Sequence, residues 1–85
     1  MIIAFTKEFI KRYKKLELNT QKQVDKQLKF LQKDSPHPSL NLKKMKGVRV
    51  YEARVSKGYR MRFTKEKGKI IMLTVGQHDV GLGKK

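Results

Sequence analysis

Between Val50 and Phe63 the chain reads V-Y-E-A-R-V-S-K-G-Y-R-M-R-F, and this alternation restricts the fold more than any other stretch. Successive side chains of a strand point to opposite faces. Tyr51, Ala53 and Val55 therefore share one face, as do Tyr59, Met61 and Phe63, while Glu52, Arg54, Arg60 and Arg62 occupy the other. Ser56-Lys57-Gly58 suits a three-residue hairpin loop in which Gly58 supplies the positive φ. With Val55 paired to Tyr59, Arg54 faces Arg60, Ala53 faces Met61 and Glu52 faces Arg62. The result is an antiparallel ribbon with one apolar face and one charged face. Like charges directly opposite each other destabilise a ribbon, so the Arg54/Arg60 pair points to a bound anion.

With 85 residues the chain is read as a single domain over 1–85, large enough for a modest core. Lys and Arg total 22 against 7 acidic residues, for a formal net charge of +15. Such an excess fits a polyanionic partner: nucleic acid, an anionic membrane surface or an acidic protein. The absence of cysteine removes disulfide frameworks and thiolate metal sites, and a reducing cytoplasm is the compartment expected. No apolar run approaches the roughly 20 residues of a membrane span, so no membrane partner is expected. Met1 to Phe5 is short for a signal segment, lacks a basic leader and reads as a first strand.

Thr6 can cap a helix carrying Phe9, Ile10, Tyr13 and Leu16 at helical spacing. Asn19 and Thr20 interrupt it. Thr20-Gln21-Lys22-Gln23 matches a capping box opening a second helix, with Val24, Leu28 and Leu31 on its apolar face. The short connection predicts an antiparallel helical hairpin. Asp34-Ser35-Pro36-His37-Pro38 ends the second helix, since proline cannot continue it. Leu40 to Gly47 reads as a connecting segment, followed by the two strands, the first starting near Val48. Lys65 to Lys69 is a turn pivoting on Gly68. Ile70 to Val75 is apolar on both faces and reads as a central strand. The expected order is β-α-α-β-β-β, an α+β fold with a helical hairpin on one face of a small, mostly antiparallel sheet.

Arginine forks match phosphate oxygens in a bidentate way, so Arg54, Arg60 and Arg62 are candidates for phosphate binding. Lys43, Lys44 and Lys46 either touch RNA backbone or only keep the surface solvated. His78, at the end of the central strand, is either a general acid or a strand-end cap beside Asp79. Glu52 is either a base or the cross-strand partner of Arg62. Cleavage of RNA by its own 2′-hydroxyl needs a base, an acid and cations around the phosphate, and no metal. Two histidines far apart and no paired carboxylates make a metal site improbable on composition, and no cofactor is expected.

The chain resembles the RelE/ParE superfamily of toxins from type II toxin–antitoxin pairs. The resemblance rests on P-S-L-N-L-K-K-M-K-G, on V-Y-E-A-R-V-S-K-G-Y-R-M-R-F and on I-I-M-L-T-V-G-Q-H-D, and runs over nearly the whole length. It implies the β-α-α-β-β-β fold and, for the RelE-like branch, an mRNA endonuclease acting in the ribosomal A site. The arginine of the family's G-Y-R motif falls on Arg60, which stabilises transition-state charge. Arg54 takes the place of a strand lysine, and Glu52 reverses the charge of another. His78 stands where the RelE branch has arginine, and matches the G-x-H ending of the YafQ-like branch, whose histidine is the general acid. Relatives often end with an aromatic that stacks on a base, whereas here no aromatic follows Phe63.

The resemblance thus implies a ribosome-dependent mRNA interferase that inhibits translation, with His78, Glu52 and Arg60 catalytic. Its expected partners are mRNA on the ribosome and an antitoxin with an acidic or amphipathic segment. A ParE-like gyrase poison, or a non-catalytic RNA- or antitoxin-binding protein of the same fold, is the alternative.

Overall fold

The computed structural model describes residues 2–33, 38–45, 47 and 49–77. Strand β1 (Ile2–Phe5) leads into helices α1 (Lys7–Lys14) and α2 (Leu18–Leu31). A 3₁₀ turn (Pro38–Leu40) and a two-residue strand β2 (Lys43–Lys44) follow, then β3 (Tyr51–Ser56), β4 (Tyr59–Glu66) and β5 (Lys69–Gln77). The five strands form one sheet in the order β1-β5-β4-β3-β2. Only β1 runs parallel to its neighbour, pairing Ile2 with Lys69 through Phe5 with Met72. The α+β class and the mostly antiparallel sheet are as the sequence predicts, and β5 is central with strands on both sides.

Burial follows the alternation of the strands. Ala53, Val55, Met61, Phe63, Ile70, Met72 and Val75 line the inner face and meet Phe9, Val24, Leu31 and Leu40. Phe63 is fully buried, and its truncation to alanine would cost about 3–5 kcal/mol. Tyr51 stacks on Phe63 at 5.6 Å between ring centres and carries Lys65 over its other side.

Thr6 does more than cap. Its hydroxyl oxygen accepts from the Phe9 amide at 3.1 Å, as predicted. The same hydroxyl lies 3.0 Å from the carbonyls of both Met72 and Leu73 and donates to that pair. Leu73 is the extra residue where the β4–β5 register shifts, because Arg62 faces Thr74 while Phe63 faces Met72. A bulge leaves backbone groups unpaired, and Thr6 satisfies one of them.

Three local expectations are corrected. Helix α2 starts at Leu18 with Glu17 as its N-cap, so Thr20 lies inside it and forms no capping box. The break falls at Lys15 and Leu16, whose amides bond back to Arg12 and Tyr13. Gln21 then donates its side-chain amide to the Tyr13 carbonyl at 2.9 Å, and Tyr13 donates its hydroxyl to Asp25 at 2.8 Å. These bonds between helices override the local motif. Second, Lys43–Lys44 is a strand rather than plain connection, pairing with Glu52 and Tyr51. The first long strand accordingly opens at Tyr51, later than Val48. Third, Ser56 rather than Val55 pairs with Tyr59, and a register shift between Arg54 and Ser56 absorbs the difference. The remaining pairs stand as expected: Arg54 with Arg60, Ala53 with Met61 and Glu52 with Arg62.

Both hairpin tips use left-handed backbone. Gly58 has φ 86°, and the Lys67–Gly68 tip has φ 40° and 78°. Positive φ at both central residues is the type I′ turn that matches strand twist.

Candidate nucleic-acid interface

The charged face of the sheet consists of two cross-strand rows. The first runs Lys43, Glu52, Arg62, Thr74 across β2, β3, β4 and β5. The second runs Arg54, Arg60, Gly76 across β3, β4 and β5. Residues paired this way have Cβ atoms about 4.5–5.5 Å apart, so Glu52 and the three arginines occupy one compact patch.

The arginines are held differently. Arg62 directs Nε at Oε2 of Glu52, 3.4 Å away, and Glu52 is only 6% exposed. Arg60 bends back onto its own hairpin tip, where Nη1 donates to the carbonyls of Ser56 at 3.2 Å and Tyr59 at 3.0 Å. That anchoring draws its guanidinium toward the tip and lessens the clash with Arg54. Arg54 is exposed, and among the described residues no carboxylate pairs with it or with Arg60. Two cations side by side without a carboxylate partner among the described residues form a surface suited to an oxyanion.

Two polar residues that sequence reasoning missed bear on the patch, one from behind it and one within it. Gln27 on α2 is buried, and its Nε2 donates to the Arg54 carbonyl at 2.7 Å and to the Ser39 carbonyl at 3.4 Å. A polar residue between Val24 and Leu31 on the apolar helix face was the available signal. Thr74, in the Glu52 row, has a buried hydroxyl oxygen without a hydrogen-bond partner. Leaving such a group unpaired costs about 1–3 kcal/mol.

The expected site residues divide accordingly. Glu52, Arg54, Arg60, Arg62 and Lys43 converge on one face. Lys44 pairs with Tyr51, which puts it on the inner side of the sheet edge, away from the arginines. Lys46 and His78, the histidine of the G-x-H ending, lie outside the described residues. Strand β5 is described to Gln77, which pairs with Tyr59 beside Arg60. Among the described residues no group of three His, Cys, Asp or Glu is placed to hold a metal, and no helix is long and apolar enough to cross a membrane.

No protein-family profile and no curated protein sequence matches the chain. Solved structures do match over nearly their whole length. The Escherichia coli RelBE toxin–antitoxin complex contains a chain 26% identical, with a TM-score of 0.71 over 89% of this chain and 94% of that one. The Methanococcus jannaschii RelB–RelE antitoxin–toxin complex gives 24% identity and a TM-score of 0.76 over 89% and 91%. A copper-bound mutant toxin from Helicobacter pylori gives 21% and 0.80 over 93% and 96%. The fold is that of the RelE/ParE-like toxins of toxin–antitoxin systems, as the sequence resemblance implies.

Proposed function

We propose that this chain is the toxin of a toxin–antitoxin pair and a metal-independent endoribonuclease that cuts mRNA on the ribosome. The observation that carries the reading is the pair of exposed Arg54 and half-buried Arg60, adjacent in register and without a carboxylate partner among the described residues. The scissile phosphate lies across this pair. The 2′-hydroxyl attacks phosphorus and gives up its proton to solvent water, the bond to the 5′-oxygen breaks, and the products are a cyclic phosphate and a free 5′-hydroxyl. Charge gathers on the phosphate oxygens in the transition state, where preoriented guanidinium donors act most strongly. Arg60, tied to the tip carbonyls, is the preoriented one.

His78 supplies the proton to the leaving 5′-oxygen. Glu52 is assigned to hold Arg62 in place, because its carboxylate is buried and Oε2 already faces Arg62. The partner that silences the toxin is an antitoxin whose acidic or amphipathic segment covers part of the basic surface. The +15 charge and the antitoxins present in the RelB–RelE structures support this. A ribosomal target places the protein in the cytoplasm. Induced expression followed by mapping of mRNA 5′ ends tests the reading. New ends within translated codons, lost in Arg60→Ala, are expected. Arrest without new ends, accompanied by gyrase-dependent DNA breaks, would overturn it in favour of a ParE-like poison.

A further inference from the structure

Gly76 lies in β5 directly across from Arg60, at the end of the row Arg54, Arg60, Gly76. We infer that Gly76 is a positioning residue of the nuclease: its missing side chain leaves the sheet open beside Arg60, and the nucleotide on the leaving 5′-oxygen side of the scissile phosphate lies over it. The assignment rests on the RNA-cleaving function proposed above and adds the direction in which RNA crosses the sheet.

The backbone does not ask for glycine here. Gly47, Gly58 and Gly68 have φ of 80°, 86° and 78°, which other residues rarely adopt, whereas Gly76 lies within β5 and has no positive φ. Glycine inside a strand weakens it, and marks a place where another backbone or a ligand approaches closely.

The surroundings favour a ligand. Paired residues have Cβ atoms about 4.5–5.5 Å apart, so a side chain at position 76 would rise beside the Arg60 stem on the charged face. The core packs on the other face, where Val75 is buried, and Gly76 itself is half-buried. Beyond Met72 no strand pairs with β5 on its β1 side among the described residues, because β1 ends at Phe5. The sheet stops there, and a nucleotide over Gly76 leaves the face across an open edge. Arg60 is drawn the opposite way, toward β3, by the carbonyls of Ser56 and Tyr59. Those bonds use only Nη1, one of three nitrogens on a guanidinium with five N–H groups.

Direction follows from the acid. His78 comes two residues after Gly76 in the chain. With the proton supplied by the chain that follows β5, the leaving nucleotide belongs on the β5 side of Arg60. Attacking and leaving oxygens lie roughly in line through phosphorus, so the 2′-hydroxyl enters from the Arg54 side.

The test compares wild type, Gly76→Ala and Gly76→Val, each with and without Arg60→Ala, in mRNA cleavage on ribosomes. Melting temperature and anisotropy of an uncleavable 2′-O-methyl RNA accompany it. The cleavage rate at saturation should fall about tenfold in the alanine variant and about 10²-fold in the valine variant. Melting temperatures should stay at or above wild type, because valine suits a strand better than glycine. RNA affinity at fixed salt should stay within about twofold, since no charge changes. Once valine excludes the substrate from Arg60, Arg60→Ala should cost less than about threefold more, whereas a defect elsewhere leaves the two losses additive. Wild-type cleavage by Gly76→Val, or additive losses, would overturn the assignment. Should the valine variant melt well below wild type, the alanine variant decides by the same coupling. Cleavage that needs Arg60 but is indifferent to both Gly76 substitutions removes the assignment and leaves the nuclease. No cleavage by wild type removes both.

Discussion

Gln27 of α2 donates its side-chain amide to the backbone carbonyl of Arg54, 2.7 Å away, from a position 4% exposed. On its β2 side, β3 has no strand partner at that point among the described residues, since β2 pairs only with Glu52 and Tyr51. The helix thus supplies, through one amide, the hydrogen bond that a neighbouring strand would have made. It also fixes the backbone from which the Arg54 guanidinium extends.

Replacing Gln27 with leucine keeps its bulk and removes the donor. Urea unfolding should show a loss of about 1–3 kcal/mol, the cost of an unsatisfied part-buried carbonyl. A shift within about 0.3 kcal/mol would mean that the carbonyl finds water and the bond contributes nothing.

Arg60 tests the phosphate site with little effect on the core, because its bonds go to an exposed hairpin tip. Arg60→Ala should lower cleavage about 10²- to 10³-fold and abolish growth inhibition, while circular dichroism stays unchanged. Full toxicity in this variant would remove Arg60 from the site.

Glu52 is examined by its amide. As the anchor of Arg62, Glu52→Gln weakens a buried ion pair and should cost about 1–3 kcal/mol in stability. Some cleavage should remain, with a pH–rate profile of the wild-type shape. A base at Glu52 would instead give wild type an acidic limb that disappears together with activity in the variant.

Lys67 holds φ 40° in the second hairpin tip, a conformation that asparagine and glycine adopt more readily than lysine. Lys67→Asn should stabilise the chain by about 0.5–1 kcal/mol, and Lys67→Val should destabilise it by a similar or larger amount. Melting temperatures of the two variants give the answer directly.

The Tyr13–Asp25 bond joins the two helices, and the hydrogen bond to Asp25 raises the Tyr13 pKa above the ordinary tyrosine value. A raised folded-state pKa contributes stability that is complete below the unfolded value, about 10, and is lost as pH rises through the folded one. Wild type should therefore melt above Tyr13→Phe at neutral pH, with the difference shrinking beyond about pH 10. A constant difference across that range would show that the bond carries no linkage.

The long ribbon was readable in advance because strand alternation has period two and its glycines mark both tips. Charge segregation at Glu52, Arg54, Arg60 and Arg62 then followed from the side-chain pattern alone. Thr6 was readable as a cap for a similar reason, since the motif completes itself within three residues. The Thr20 box failed although its letters fit, because Gln21 bonds to the carbonyl of Tyr13 in the other helix. Strand β2 was hidden in two lysines whose only strand-like property is their pairing with Glu52 and Tyr51.

What the sequence determined by itself is therefore local: the strand faces, the hairpin register beyond the tip, the helix spacing and the excess of positive charge. Tertiary structure alone decided how each charge is held. It buried Glu52 against Arg62, folded Arg60 onto its turn, left Arg54 free of a carboxylate among the described residues and joined its backbone to Gln27, distant in sequence. Such contacts depend on which groups lie within hydrogen-bond reach once the layers pack, and no spacing along the chain encodes that.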